Sequence, residues 1–496
     1  MIHLNKSVFL LIIAVTTFCC CSQSEDFAAQ ESKKELGSDN CNIVFRLQSN
    51  YSAITRSAED SYSHVQGTAS EYKVNNARVY LYNNQSKLFA KSFQLANLTH
   101  VGSDANGNIT YESDKFSVAP GVYDIFVTAN TDRVINKTNE DEFLADIDSV
   151  TYIQGQIMDI SNGIVMSNRA SANVQVTINK KDGDEPNVVS ITLERVLARL
   201  DIAKSAEQFE MTDNNGAKYA SVTLDGFYIV NQPKYYYSYR HTAVLTSLDE
   251  PQWNVNTNFG NVADVNGYVV DPYFFKKAID ATAFTNADKY YENAFVDLKS
   301  PNAAKWTSFN AVSSTPNYKT SYCLENCMYA PAQKNGYSTG VVFKAIIEPN
   351  NNVYHLNSSN TLELITDKTK YPEVLYYFEY NFYDSADALK VAVAASSLPT
   401  NVLQAKKFEK TDDGYRCYYN YWIRHLDNNN PAIMGVMEFG VVRNNLYRML
   451  VTNVSDLGGE DVDIFMPDIP DEGEAYMNVV LNVKPWIVRD LTNIVL

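Results

Sequence analysis

The stretch NIVFRLQS (42–49) places Ile43, Phe45 and Leu47 on one side of an extended chain and Val44, Arg46 and Gln48 on the other. Successive side chains of a strand point to opposite faces, so this alternation reads as a half-buried β-strand. Further along, NARVYLYN (76–83), VYDIFVTAN (122–130), ANVQVTI (172–178) and VVSITLERV (188–196) are each one strand long, and Asn, Asp, Gly and Ser clusters separate them. Aromatic residues make up 12% of the chain, with 34 Tyr, which suits the half-buried surface of a sheet. In SDANGNITY (103–111), Asn106-Gly107 sits where a hairpin turn requires positive φ; the same string is an incomplete calcium loop, so it reads as a turn. Helical periods are short, the best being NEDEFLADIDSV (139–150) and SADALKVAVAASSL (385–398). The expected fold is all-β with minor helices.

At the start, MIHLNK carries positive charge and Val8 to Phe18 form an apolar run too short to span a bilayer. This is a secretory signal. Cys19, Cys20 and Cys21 follow it and lead into a polar stretch, the arrangement of a bacterial lipobox. Cys21 is the expected lipidation site, with Cys20 the alternative. Residues 22–40 are polar enough to serve as a tether.

Beyond the signal only Cys41, Cys323, Cys327 and Cys417 remain, too few for a disulfide framework. Cys323 and Cys327 lack a second pair at zinc-ligand spacing, so a lone disulfide or buried thiols are expected and no metal site. The length suffices for two or three ordinary cores. A net charge of -17 gives no basic face for nucleic acid.

Gly336-Tyr337-Ser338-Thr339-Gly340 fits a nucleophile elbow, but that turn needs a helix after the serine, and VVFKAIIEP (341–349) reads as a strand. The six histidines are scattered, and Glu460, Asp461 and Asp463 fall in linker-like sequence. No catalytic residue, metal or cofactor is expected. The aromatic clusters KYYYSYRH (234–241), YYFEYNFY (376–383) and CYYNYW (417–422) suit core packing better than a sugar-stacking platform. No fixed-period repeat is present.

Several strings together resemble one family, the fimbrillins of short, Mfa-type fimbriae, subunits of type V pili. GYRCYYNYWIRHLDNNN (414–430), MEFGVVRNNLYRMLVTNVSDLG (437–458) and MNVVLNVKPWIVRDL (477–491) are similar to that family's C-terminal block in order and spacing. YCLENCMYAP (322–331), STGVVFKAIIEP (338–349), FSVAPGVYDIFVTAN (116–130) and ITLERVLARLDIAK (191–204) resemble further family segments. The resemblance implies a lipoprotein precursor with two transthyretin-like, Greek-key β-sandwich domains, exported to the outer membrane, cut by a trypsin-like protease and polymerised into an extracellular fimbrium by strand exchange. The implied partners are identical subunits, anchor and tip subunits of the same fimbria, and the protease.

The residues supply each part of that scheme. Residues 42–49 would be the removable strand, with Ile43, Phe45 and Leu47 facing the core. In ITRSAED (54–60), Arg56 offers a trypsin-like cut before Ser57 in polar sequence that a protease reaches, whereas Arg46 lies inside the strand. The tail repeats the alternation, with Met477, Val479, Leu481 and Val483 between Asn478, Val480, Asn482 and Lys484, as a donor strand for a neighbour's groove would. Pro485 and Trp486 end or bend it, and Ile487 to Leu496 offer a second arm. The stretch from Gly458 through PDIPDEGEA to Ala475 links this tail to the body.

The expected organisation is a signal peptide (1–21), a propeptide with the first strand (22–56), an N-terminal sandwich (57–204), a C-terminal sandwich (205–474) and a donor tail (475–496). The competing readings are a tip adhesin or anchor of the same fimbria and a non-polymerising glycan-binding lipoprotein.

Overall fold

In a computed structural model, the described residues are 41–49, 63–64, 68–103, 109–150, 160–168, 174–179, 185–244, 267–274, 276–277, 287–294, 306–328, 332–334, 336–396, 405–425, 438–460, 477–485 and 487–488. Two hydrophobic cores organise them, and strands build both.

The first core lies inside one curled sheet. Its strands are β1 (Cys41–Ser49), β2 (Ala77–Asn83), β3 (Phe89–Leu95), β4 (Thr99–Ser103), β5 (Ile109–Glu112), β6 (Phe116–Val118), β7 (Gly121–Ala129), β8 (Met166–Ser167), β9 (Val174–Ile178) and β10 (Asn187–Arg195). They are ordered β3-β2-β7-β8-β10-β1-β5-β4, with β9 also on β7 and β6 also on β1. Val79 and Leu81 of β2, Ile125 and Val127 of β7, and Val189, Ile191 and Leu193 of β10 bury in this core with Ile43, Phe45 and Leu47 of β1. Alternation sorts these side chains inward. On β10 the buried residues interleave with exposed Val188, Ser190 and Thr192.

The second core is sandwiched between two sheets. Strand β11 (Leu197–Lys204), β12 (Phe209–Thr212), β13 (Lys218–Val230), β14 (Lys319–Leu324), β15 (Gly340–Pro349), β16 (Val353–Leu356), β17 (Leu362–Leu364), β18 (Val374–Phe378), β19 (Asn381–Tyr383), β20 (Lys406–Thr411), β21 (Gly414–Trp422), β22 (Asn445–Val454) and β23 (Met477–Pro485) form it. The smaller sheet runs β14-β11-β22-β23 and the larger β12-β13-β15-β21-β20-β18-β19-β16-β17. Lys204 is the last residue of β11, whose Ala198, Leu200 and Ile202 already bury in this second core.

Helices are accessories. The helix α1 (Ala69–Tyr72) precedes β2, and α2 (Glu140–Leu144) begins at the N-cap Asn139, whose side chain accepts from Asp141 and Glu142 N–H groups. The 139–150 segment yields only this short helix, because residues 147–149 instead pair with Tyr235–Tyr237. The longest among the described residues is α3 (Ala386–Ala395), capped by Ser385 and seated through Ala388 and Ala392 on Phe378 and Tyr383. Among the described residues, no helix is long and apolar enough to cross a membrane.

The aromatic clusters divide between core and partial cover. Tyr236, Tyr239, Tyr377, Phe378, Phe382, Tyr383, Tyr419, Tyr421 and Trp422 are all buried. Their rings fill the interior, as packing requires, and do not form an outward row.

Candidate assembly site

Strand β1 occupies the interior of its sheet. From Ile43 to Ser49 it runs parallel to β10, with Phe45 opposite Val189 and Leu47 opposite Ile191. On its other edge, Cys41 to Ile43 pair with β6 and Arg46 to Ser49 with β5. The gap between those two strands is closed by Ser113, whose Oγ accepts from the Phe45 N–H at 3.0 Å while its own N–H donates to the Phe45 carbonyl at 3.0 Å. Both edges of β1 are therefore hydrogen-bonded from Ile43 to Ser49.

Its side chains follow the expected alternation with one addition. Cys41, Ile43, Phe45 and Leu47 are buried, and the Phe45 ring lies 5.9 Å from Phe93 and 6.2 Å from Phe116 between centroids. Arg46 and Gln48 are exposed, and Arg46 pairs with Glu112 at 2.7 Å. Val44 is also buried, so the outer face is partly covered. Burying the four inner side chains is worth about 6–12 kcal/mol as an upper bound, at roughly 1.5–3 kcal/mol each.

Strand β23 holds a different position. Among the described residues it pairs antiparallel with β22 alone, as the last strand of the smaller sheet. In register, Met477 stands opposite Val454, Val479 opposite Val451, Leu481 opposite Met449 and Val483 opposite Tyr447. Those four β22 residues belong to the second core. Just after β23, Ile487–Val488 pair antiparallel with Ser63–His64.

Cys20, Cys21, Arg56, Ser57 and the turn at Asn106-Gly107 lie outside the described residues, as do Asp461, Asp463 and Trp486. The strands flanking that turn, β4 and β5, are antiparallel neighbours.

Two family models match the chain. Residues 46–221 match the major fimbrial subunit protein FimA, and residues 413–492 match the C-terminal region of the type IV major fimbrial subunit protein, fimbrillin. Together they span more than half of the sequence. The chain belongs to the fimbrillins. Among solved structures, a fimbrilin (FimA) of Porphyromonas gingivalis W83 is 14% identical, with 92% of this chain and 99% of that one covered at a TM-score of 0.42. The C-terminally truncated tip fimbrial protein Mfa3 of Porphyromonas gingivalis is 12% identical, with coverage of 84% and 96% and a TM-score of 0.36. No curated protein matches.

A fimbrillin is a fimbrial structural subunit and not an enzyme, and the chemistry-bearing residues sit accordingly. Ser338 is fully buried, its Oγ 3.6 Å from Met328 Sδ, and the chain continues from it into strand β15. An elbow helix is absent there. Cys41, Cys323, Cys327 and Cys417 are buried free thiols, and burial pushes Cys417 up to about 12 and Cys323 and Cys327 upward as well. Such thiols are packing residues. No group of His, Cys, Asp and Glu suited to a metal occurs among the described residues. Glu460 accepts from the Lys407 N–H at 2.8 Å.

One feature escaped the sequence reading. Glu71 of α1 is fully buried, and its carboxylate takes Arg199 Nη1 at 3.1 Å and the Tyr322 hydroxyl at 2.9 Å. The Arg195 Nε donates to the Glu71 carbonyl at 2.5 Å. Arg199 also pairs with Asp201, which in turn meets Arg448. Arg199 and Asp201, two apart on one strand face, were the available signal.

Proposed function

We propose that this fimbrillin is a polymerising shaft subunit of a short-type fimbria. It reaches the outer membrane on a lipid at Cys21, is cut between Arg56 and Ser57, loses β1 with the lipid, and receives the β23 tail of the next subunit in the emptied groove. The filament that results is extracellular and supports adhesion.

One observation carries the reading: β1 and β23 are both nine residues long and agree position by position. Cys41-Asn42-Ile43-Val44-Phe45 aligns with Met477-Asn478-Val479-Val480-Leu481, and Arg46-Leu47-Gln48-Ser49 with Asn482-Val483-Lys484-Pro485. Every inner position of β1 thus has an apolar counterpart in β23, and the three polar outer positions, Asn42, Arg46 and Gln48, have polar ones in Asn478, Asn482 and Lys484. In their own ladder, positions 477, 479, 481 and 483 already fall on the face shared with the core-facing residues of β22. Head-to-tail insertion is a heterologous contact that does not close, so it builds a filament. An unfilled groove would be an aggregation hazard, which is a physical reason to keep β1 in place until export is complete.

The pairing of β11 with β14 and β22 supports dividing the two domains at Val196, ahead of Lys204. Exported precursor treated with trypsin should give filaments in the electron microscope and a ladder of heat-sensitive oligomers on gels. Arg56→Ala should remain a lipidated monomer, and truncation after Ala475 should give folded subunits that cannot donate. Filaments of ordinary length from either variant would refute the reading; sugar binding by a monomer that never oligomerises after trypsin would favour a glycan-binding lipoprotein.

A further inference from the structure

The proposed cut empties the groove, but the donor tail must also leave its own chain. Strand β23 is held there by β22 along one edge, and just beyond Pro485 the chain is held again, with Ser63 opposite Val488 and His64 opposite Ile487. The tail cannot travel to a neighbour while this second contact stays closed. Its other half lies shortly after the proposed cut in the sequence.

The segment carrying Ser63 and His64 is fixed from behind. Glu71 cannot shift without abandoning Arg199, Tyr322 and Arg195, all anchored in strands β10, β11 and β14. The Thr68 N–H donates back to the Glu71 carboxylate, which ties the start of α1 to the same cluster. In the precursor the segment is also fixed from the front, because Ser49 is the fully buried end of β1. A two-residue ladder held between two anchors re-forms readily after each opening. With one anchor removed it becomes a frayed chain end.

We propose, resting on the strand-exchange reading above, that Ser63–His64 act as a retaining strap that keeps the C-terminal arm at Ile487–Val488 on its own chain until the cut at Arg56 frees the strap's leading end. One proteolytic event then does two things: it opens the acceptor groove and loosens the donor. A precursor neither receives nor offers a strand, which prevents assembly during export from both directions.

The strap is tested by locking it. Ser63 and Val488 are directly opposed, a spacing that a disulfide can bridge with small adjustment, and the described native thiols are buried. The full-chain Ser63→Cys/Val488→Cys double variant is oxidised, cut with trypsin and followed by electron microscopy and gel ladder, with and without reductant. The expected result is at least about tenfold less filament in the oxidised form, restored by reductant. Oxidised, cut protein that polymerises like wild type would overturn the strap, and so would failure of the two cysteines to bridge. Truncation after Ala475 separates the two ideas: if that variant polymerises, the donor reading itself fails, whereas a locked strap that polymerises beside an inert truncation removes only the strap. In wild-type protein diluted below the polymerising range, amide exchange at Val488 should quicken about tenfold after the cut, and an unchanged rate would count against the proposal.

Discussion

Phe45→Ala separates the precursor from the filament. Phe45 is fully buried, and its ring touches Phe93 and Phe116 at the centre of the first core. Truncating such a ring removes its transfer free energy and leaves a cavity that a sheet core only partly closes, a loss of about 3–5 kcal/mol. For a domain of this size that lowers the unfolding midpoint by roughly 6–20 °C. The loss applies only while β1 is in the fold. On the proposed strand exchange, β1 would depart with its lipid after a cut at Arg56 and β23 of another subunit would fill the groove, with Leu481 as the counterpart at that position. The intact variant should therefore melt well below wild-type precursor in circular dichroism. Filaments assembled from cut variant should dissociate on heated gels at the wild-type temperature. A parallel fall in filament stability would mean that β1 remains in the filament, and strand exchange would be refuted.

Leu481→Asp should leave the cut subunit folded yet abolish the oligomer ladder, because an unpaired carboxylate would have to enter the neighbour's core; size-exclusion chromatography after trypsin would show the monomer. Glu71→Leu should lower stability by about 3 kcal/mol in denaturant titration, since Arg199 and Tyr322 lose their buried acceptor while Arg199 keeps Asp201. Glu140 gives a pH dependence. Burial first, then the neighbouring Asp124 carboxylate, raise its pKa to about 7 against the opposing pull of Lys87, which sits 3.4 Å away. The folded value lies above the unfolded one, so the folded state binds the extra proton. The resulting stability is complete below the ordinary carboxyl range and disappears as pH rises through about 7. Glu140→Gln should accordingly flatten the fall in melting temperature between mildly acidic and mildly alkaline buffer, and a slope equal to wild type would exclude Glu140 as its source.

Much of this was legible in the sequence because strands of period two declare their inner face. NIVFRLQS announced Ile43, Phe45 and Leu47 as core residues, and all three are fully buried. The same alternation located β2, β7 and β10. Sequence position alone could not tell that β1 is an interior strand, since pairing with β10 joins residues 41–49 to 187–195 across most of the first domain. ITLERVLARLDIAK shows a related limit. Its two halves are different strands, and the second binds β22 far down the chain. The charges within it are paired in the interior, Arg199 with Glu71 and Arg195 with the Glu71 backbone. A buried ion pair between remote residues leaves no local signature, because each member has the composition of a surface residue.

The ladders would also give the proposed exchange its direction. Among the described residues, β23 is bonded on its own chain along one side, to β22. The groove that β1 leaves is lined on both sides, by β10 along one edge and by β6, Ser113 and β5 along the other. On the proposal, a β23 strand that moved from the first setting to the second would exchange one described ladder for two. Net hydrogen bonding adds only about 1 kcal/mol per bond, so the extra edge contributes a few kcal/mol beyond side-chain burial. On the strand-exchange proposal that surplus exists only when the groove is empty: with β1 present the tail would have no better partner than β22, and with β1 gone transfer would be downhill for the donor, so that removing a single strand would suffice to turn a monomer into a growing end.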